Sequence, residues 1–126
     1  MLREQLKHLF YDKEERMAFS EKTKTLTSTL IQAELENIIK QYGDKYNSLH
    51  EGYAILKEEL EEAVIELKAF NTCFNMYWVA IKDNDKVETE KNIKYMIYYH
   101  EKMIKELAQV GAVLQKIKNT AEAYND

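Results

Sequence analysis

The sequence predicts an all-α protein, and three observations carry that prediction. The 126 residues contain no proline and only three glycines, so the turn residues that β-sandwiches and phosphate-binding loops need are almost absent. Charged residues make up 32% of the chain, and most of them are the helix formers glutamate and lysine. Apolar residues recur at intervals of three and four over two long stretches, which is the spacing of one helical face. We expect a single all-α domain over residues 1–126, an antiparallel helical bundle with two long helices and one or two shorter N-terminal helices.

The shorter helix is predicted to run from about Ser28 to Tyr42. Its apolar residues keep helical spacing over that stretch, and Gly43 follows where a left-handed cap is needed. Residues 1–22 are predicted to form either a further helix or an arm that packs on a partner chain.

Two long helices are predicted downstream, joined by a short turn. The first carries an apolar stripe from Leu49 to Ile81, and the polar segment from Lys82 to Lys86 interrupts it. Within that segment Asp85 is predicted to cap the next helix. The second stripe ends at Ile117, so residues 119–126 are predicted to fray.

Charge and cysteine content exclude several classes of protein. The formal net charge is −4, with basic and acidic residues interspersed, which disfavours general binding to nucleic acid. Cys73 is the only cysteine, so the chain can form neither an internal disulfide nor a site of several thiolates. No apolar run reaches the length of a membrane span, and the N-terminal residues lack the pattern of a secretory signal. We therefore expect a cytoplasmic protein that binds neither membrane nor nucleic acid.

An acidic cluster marks the middle of the first long helix. Glu59, Glu62 and Glu66 recur at three- and four-residue intervals, so they share a face at the edge of the apolar stripe. Like charges so placed repel one another unless a cation neutralises them, and Mg²⁺ and Mn²⁺ prefer such oxygen ligands. A solvated acidic face is the alternative interpretation. On the second long helix Glu106 takes the equivalent position, and Gln109 one turn on offers an amide oxygen without charge.

Three short motifs carry a family resemblance. They are Glu-Glu-x-x-Glu at residues 58–62, Glu-Leu-Ala-Gln-Val-Gly-Ala at residues 106–112, and the stretch beginning Ser-Leu-His-Glu-Gly-Tyr at residue 48. Together these motifs resemble the all-α nucleoside triphosphate pyrophosphohydrolases of the MazG-like superfamily. The match is closer to a MazG-like subgroup of phages and Gram-positive bacteria, in which the later motif often carries Gln where the wider family carries Asp.

The resemblance implies a reaction and a set of roles. The implied reaction is Mg²⁺-dependent hydrolysis of a nucleoside triphosphate, or its deoxy form, to the monophosphate and pyrophosphate. Because two long helices and a short one cannot cover every apolar face, we also expect a homodimer or homotetramer. The implied metal ligands are Glu59, Glu62, Glu106 and Gln109. The resemblance also implies that Glu58 acts as the catalytic base or a further ligand, and that His50 and Glu51 bind substrate.

Two alternative functions stay open. Because Gln109 removes a charge from the implied metal site, the chain is also compatible with a non-catalytic helical bundle that binds a nucleotide, a signal molecule or a protein partner. A helical subunit of a larger assembly is the third possibility. The aromatic residues near the turn, among them Trp78 and Tyr95, are interpreted as core or subunit-interface packing.

Overall fold

The computed structural model describes residues 20–124, which form three α-helices. Helix α1 spans Glu21–Tyr42, α2 spans Leu49–Lys82 and α3 spans Lys86–Tyr124. The all-α prediction is confirmed over this part of the chain. By its contacts the chain divides into two units, Met1–Leu30 and Ile31–Asp126, and the site lies in the second. Most of the predicted N-terminal arm or helix, residues 1–19, falls outside the described residues.

Helix α1 begins seven residues before its predicted start at Ser28. The hydroxyl of Ser20 accepts a hydrogen bond from the backbone N–H of Thr23 at 3.1 Å, which caps the helix. Residues 20–30 are all exposed, so no apolar stripe marks these first turns and the predicted start is wrong. The predicted end is confirmed, because Gly43 has a φ of +82° and its N–H bonds to the carbonyl of Ile39.

Helices α2 and α3 form an antiparallel hairpin with the predicted turn. Ser48 caps α2 by accepting the N–H of Glu51. Asn84 turns the chain with a φ of 52°, a left-handed conformation that asparagine tolerates. Asp85 Oδ1 then accepts the N–H of Glu88 at 3.0 Å, which confirms the predicted cap of α3.

The turn sets the register between the two helices. In an antiparallel hairpin, residues at equal distances from the turn lie at the same height. Glu66 and Lys102 each stand 18 residues from Asn84, and their side chains form an ion pair of 3.1 Å between Nζ and Oε1.

The hairpin buries one face of each helix, and intervals of four and three alternate along both faces. This is the heptad spacing of paired helices. The α2 positions at this spacing, all buried or half-buried, are Gly52, Leu56, Glu59, Ala63, Glu66, Phe70, Cys73, Tyr77 and Ala80. The corresponding α3 positions, again all buried or half-buried, are Asn92, Met96, Tyr99, Met103, Glu106, Val110, Val113, Ile117 and Thr120. Three glutamates therefore occupy positions that paired helices normally fill with apolar side chains.

The predicted stripes only partly match these buried faces. Leu67 and Leu107 belong to the predicted stripes but remain 48% and 58% exposed. The apolar stripe is wider than one neighbouring helix can cover, so these two leucines at its margin face outward. The periodicity correctly predicted the helices but not which side chains each one buries.

Helix α3 continues to Tyr124, beyond Asn119, where the apolar pattern predicted fraying. Thr120 Oγ1 accepts the backbone N–H of Tyr46 at 2.8 Å, and the Tyr124 hydroxyl donates to the carbonyl of Asn47. These bonds tie the end of α3 to the loop between α1 and α2. The fraying was predicted from apolar spacing, whereas polar side chains order this segment.

The second half of α1 lies close to α3. A Cβ atom at Gly111 would stand 2.8 Å from Cγ1 of Ile31, so the glycine permits an approach that a larger residue obstructs. No helix between residues 20 and 124 has the combination of length and hydropathy that a membrane crossing requires.

Candidate functional site

Three carboxylates from two helices meet on the hairpin. Glu59, Glu62 and Glu106 each place one carboxylate oxygen within 4.8 Å of the others. The register of the hairpin explains why these carboxylates are close together, because Glu62 and Glu106 each stand 22 residues from Asn84. Glu59 lies one helical turn before Glu62. The structure thus brings together three of the four predicted metal ligands, and we call them the carboxylate cluster.

The cluster is partly shielded from water. Glu59 and Glu106 are half-buried, whereas Glu62 is exposed. The Oε2 atoms of Glu59 and Glu106 are both buried, and neither has a hydrogen-bond partner. Buried polar atoms in proteins are nearly always paired with protein or water, so these two oxygens are free to accept a further contact.

Burial and repulsion both disfavour ionisation of the cluster. The pKa of Glu59 is raised first by burial and then by the charges of Glu62, Glu106, Glu58 and Glu34. The pKa of Glu106 is raised by burial, by the charge of Glu62 and by a hydrogen bond with it, against a smaller lowering by Lys105. A bound cation would oppose both effects, because it favours the ionised form of the carboxylates.

Glu66 provides a contrast within the same helix. The sequence groups it with Glu59 and Glu62, but in the structure it pairs with Lys102. None of the ion pairs among residues 20–124 includes a member of the carboxylate cluster. Among the described residues, Glu66 therefore has an ion-pair partner and the members of the carboxylate cluster have none, although the charge of Lys105 acts on Glu106 from a greater distance.

The residues present fit a hard divalent cation. Their donor atoms are all carboxylate oxygens, which Mg²⁺ and Mn²⁺ prefer. Glu59 and Glu106 each also carry one buried oxygen without a hydrogen-bond partner. Gln109 lies one turn beyond Glu106 and is half-buried, so its amide oxygen is a further donor on the same helix.

A cavity of about 590 Å³ adjoins the cluster and shares Glu59 with it. Its lining also includes Glu58 and Glu51 among the predicted site residues. Asn47 Nδ2 donates to Glu51 Oε2 at 3.1 Å, which orients that carboxylate. His50 is exposed in the first turn of α2 and does not line this cavity.

Sequence reasoning missed three residues at this site. The charge of Glu34 on α1 raises the pKa of Glu59. Tyr46 and Lys116 line the cavity. Two of them carried a usable signal. Glu34 lies between apolar residues of the α1 stripe, and Lys116 lies four residues before Thr120 on the buried face of α3.

Comparison with protein-family models, curated proteins and solved structures found no match to this chain. The family resemblance therefore rests on the three sequence motifs alone.

Proposed function

We propose that this protein is a Mg²⁺-dependent nucleoside triphosphate pyrophosphohydrolase. The observation that carries the proposal is the pair of buried, unpartnered oxygens of Glu59 and Glu106, inside a carboxylate cluster that forms no ion pair within the described residues. A cavity large enough for a small ligand opens beside this cluster. The sequence motifs that resemble the MazG-like superfamily lie at the same residues.

Different side chains of the site bind the cation, accept a proton and contact the substrate. The proposed ligands of the cation are Glu59, Glu62, Glu106 and Gln109. When bound, Mg²⁺ neutralises phosphate charge and lowers the pKa of a water. Glu58 is exposed and lines the cavity, so its carboxylate can accept a proton from the attacking water. The water oxygen forms a bond to the α-phosphorus. The bond from this phosphorus to the oxygen that bridges it to the β-phosphate breaks, and pyrophosphate leaves. Glu51 contacts substrate from the cavity wall, whereas a role for His50 stays a prediction from the resemblance.

The test is pyrophosphate release from a panel of canonical and modified ribo- and deoxyribonucleoside triphosphates, with Mg²⁺, with Mn²⁺ and with chelator. We expect release of pyrophosphate and the monophosphate that depends on the metal. Chelator should abolish it. Release of orthophosphate instead would show cleavage at another bond, and absence of any product across the panel would reject the hydrolase.

We also propose that the partner of this chain is a second copy, in a cytoplasmic homodimer or homotetramer. An apolar groove lies beside the carboxylate cluster, and its lining carries no polar side chain: Leu60, Ala63, Val64, Leu67, Met103 and Leu107. Large exposed apolar surface of this kind is typical of an interface.

Sedimentation equilibrium tests the assembly. We expect the native chain to sediment as a dimer or tetramer and Val64→Lys to shift it toward monomer, because a lysine in the groove loses its hydration on association. Val87→Lys is the matched control, since Val87 is 74% exposed at the start of α3 and away from the groove. A monomeric native chain would contradict the proposal.

A further inference from the structure

Lys116 is an unusual lysine, because its residue is only 2% exposed. Its ammonium nitrogen lies 4.2 Å from the centroid of the Tyr46 ring and 6.0 Å from that of Tyr42. Lysine is among the residues that proteins least often bury without a partner. The two rings therefore hold this amine inside the molecule rather than letting it reach water.

No carboxylate neutralises this amine within the described part of the chain. The ion pairs there involve Lys24, Lys91, Lys102 and Lys118. Contact with aromatic faces stabilises a cation where water is excluded. Proteins seldom bury an ammonium group without an anion in hydrogen-bond contact. Within the described residues, Lys116 has no carboxylate at ion-pair distance.

Lys116 lines the same cavity as Glu58 and Glu59. The helical register puts Lys116 seven residues along α3 from Gln109, which lies level with Glu59. At 1.5 Å per residue this corresponds to about 10 Å along the hairpin. A ligand that reaches from the carboxylate cluster to Lys116 must be elongated, and the part of it that contacts Lys116 must be anionic.

The phenol of Tyr46 does not supply an anion to Lys116. Burial raises the pKa of the Tyr46 phenol, and the charges of Glu51 and Glu59 raise it further. The phenol therefore stays neutral, and its face attracts the lysine cation without neutralising it. Lys45 also lines the cavity and adds positive charge near the same end.

We infer that Lys116 binds a phosphate group of the ligand that occupies this cavity. The inference rests on the proposed function, because it takes that ligand to be a nucleoside triphosphate whose phosphate chain extends from a cation at the carboxylate cluster toward Lys116. Lysine is a common phosphate-binding residue and acts as a point charge. On this inference the cavity holds a cation at the carboxylate cluster, between α2 and α3, and a phosphate group at Lys116 on α3.

The test is calorimetric titration of the full chain with inorganic pyrophosphate, with and without Mg²⁺. We expect Lys116→Met, which keeps length and packing but removes the charge, to weaken pyrophosphate binding roughly 10- to 100-fold. Its affinity for Mn²⁺ alone should stay within about twofold of the native value, because Lys116 does not belong to the carboxylate cluster. Lys118→Met is the matched control, since Lys118 is exposed and pairs with Glu122.

A second measurement on the native chain keeps the inference testable if Lys116→Met fails to fold. Pyrophosphate should shift the ε-carbon resonance of Lys116, identified by its loss in Lys116→Arg, and leave that of Lys118 in place. Unchanged pyrophosphate affinity in Lys116→Met, or an unmoved Lys116 resonance, would overturn the inference.

The two proposals can fail separately. Pyrophosphate affinity that depends on Lys116, in a protein that hydrolyses no triphosphate, would uphold the phosphate site and reject the hydrolase. Hydrolysis of a triphosphate, combined with a pyrophosphate affinity that does not change in Lys116→Met, would uphold the hydrolase and reject the phosphate site.

Discussion

Replacing Glu59 by glutamine is expected to lower metal-dependent pyrophosphate release at least about 100-fold. The substitution keeps the size of the side chain but removes one negative charge and one strong oxygen ligand. Because Glu59 belongs to both the carboxylate cluster and the cavity wall, the loss should affect cation binding and the position of the phosphates together. Glu106→Gln is expected to act similarly from the facing helix.

Two measurements separate this effect from unfolding. Calorimetric titration with Mn²⁺ should show weaker binding in Glu59→Gln, and circular dichroism should show unchanged helix content. Glu61→Gln is the matched control, because Glu61 is an exposed glutamate on the same helix that lies outside the cluster. Native-like metal affinity and turnover in Glu59→Gln would show that the cluster is a structural feature without a cation.

The metal-free protein is expected to lose stability as the pH rises from about the ordinary glutamate pKa toward neutrality. The pKa values of Glu59 and Glu106 are raised in the folded state, so over this range the folded chain holds protons that the unfolded chain has released. Unfolding therefore releases protons, and a rise in pH favours it. The contribution of Glu59 and Glu106 to stability is complete below pH 4.5, the ordinary glutamate pKa. It is lost as the pH rises through the raised pKa values of these two groups in the folded state.

Mg²⁺ should reverse this trend. A cation binds the ionised carboxylates of the folded chain, so its stabilisation grows as the pH rises. At a concentration 100 times its dissociation constant it should add about 2.7 kcal/mol to the free energy of unfolding. In the absence of metal, Glu59→Gln should be slightly more stable than the native chain at pH 8, by roughly 0.2–0.5 kcal/mol for each like-charge pair it removes.

Urea unfolding at pH 5 and pH 8, with chelator and with Mg²⁺, measures these effects. Glu61→Gln again serves as the control and should keep the native pH dependence. A metal-free protein that becomes more stable between pH 5 and pH 8, or one that Mg²⁺ leaves unchanged at pH 8, would be inconsistent with the cluster as a cation site.

The two helices of the hairpin and the turn between them could be predicted from residue types and spacing alone. Apolar periodicity predicted α2 and α3, and the cap residue Asp85 marked where the chain turns. Once the turn is placed, helix geometry puts Glu62 opposite Glu106. Capping bonds and register are local properties of the chain, so they can be derived from residue types and spacing.

The start of α1 and the order of the α3 tail depended on polar contacts that carry no periodicity. Ser20 caps α1 ahead of any apolar residue pattern. Thr120 orders the end of α3 through a bond to Tyr46, which lies 74 residues away in the chain. Spacing within one helix contains no information about such partners.

Which acidic residues form ion pairs depends on how the helices pack. Periodicity fixes the rotation of a helix about its axis only to within the width of its apolar stripe, and the stripes here are wider than the surfaces they bury. The actual rotation pairs Glu66 with Lys102 and leaves Glu59 and Glu106 with unpartnered oxygens. It also turns Lys116 inward against Tyr46. Neutralisation of a charge depends on distances across helices, and those distances exist only once the helices have packed.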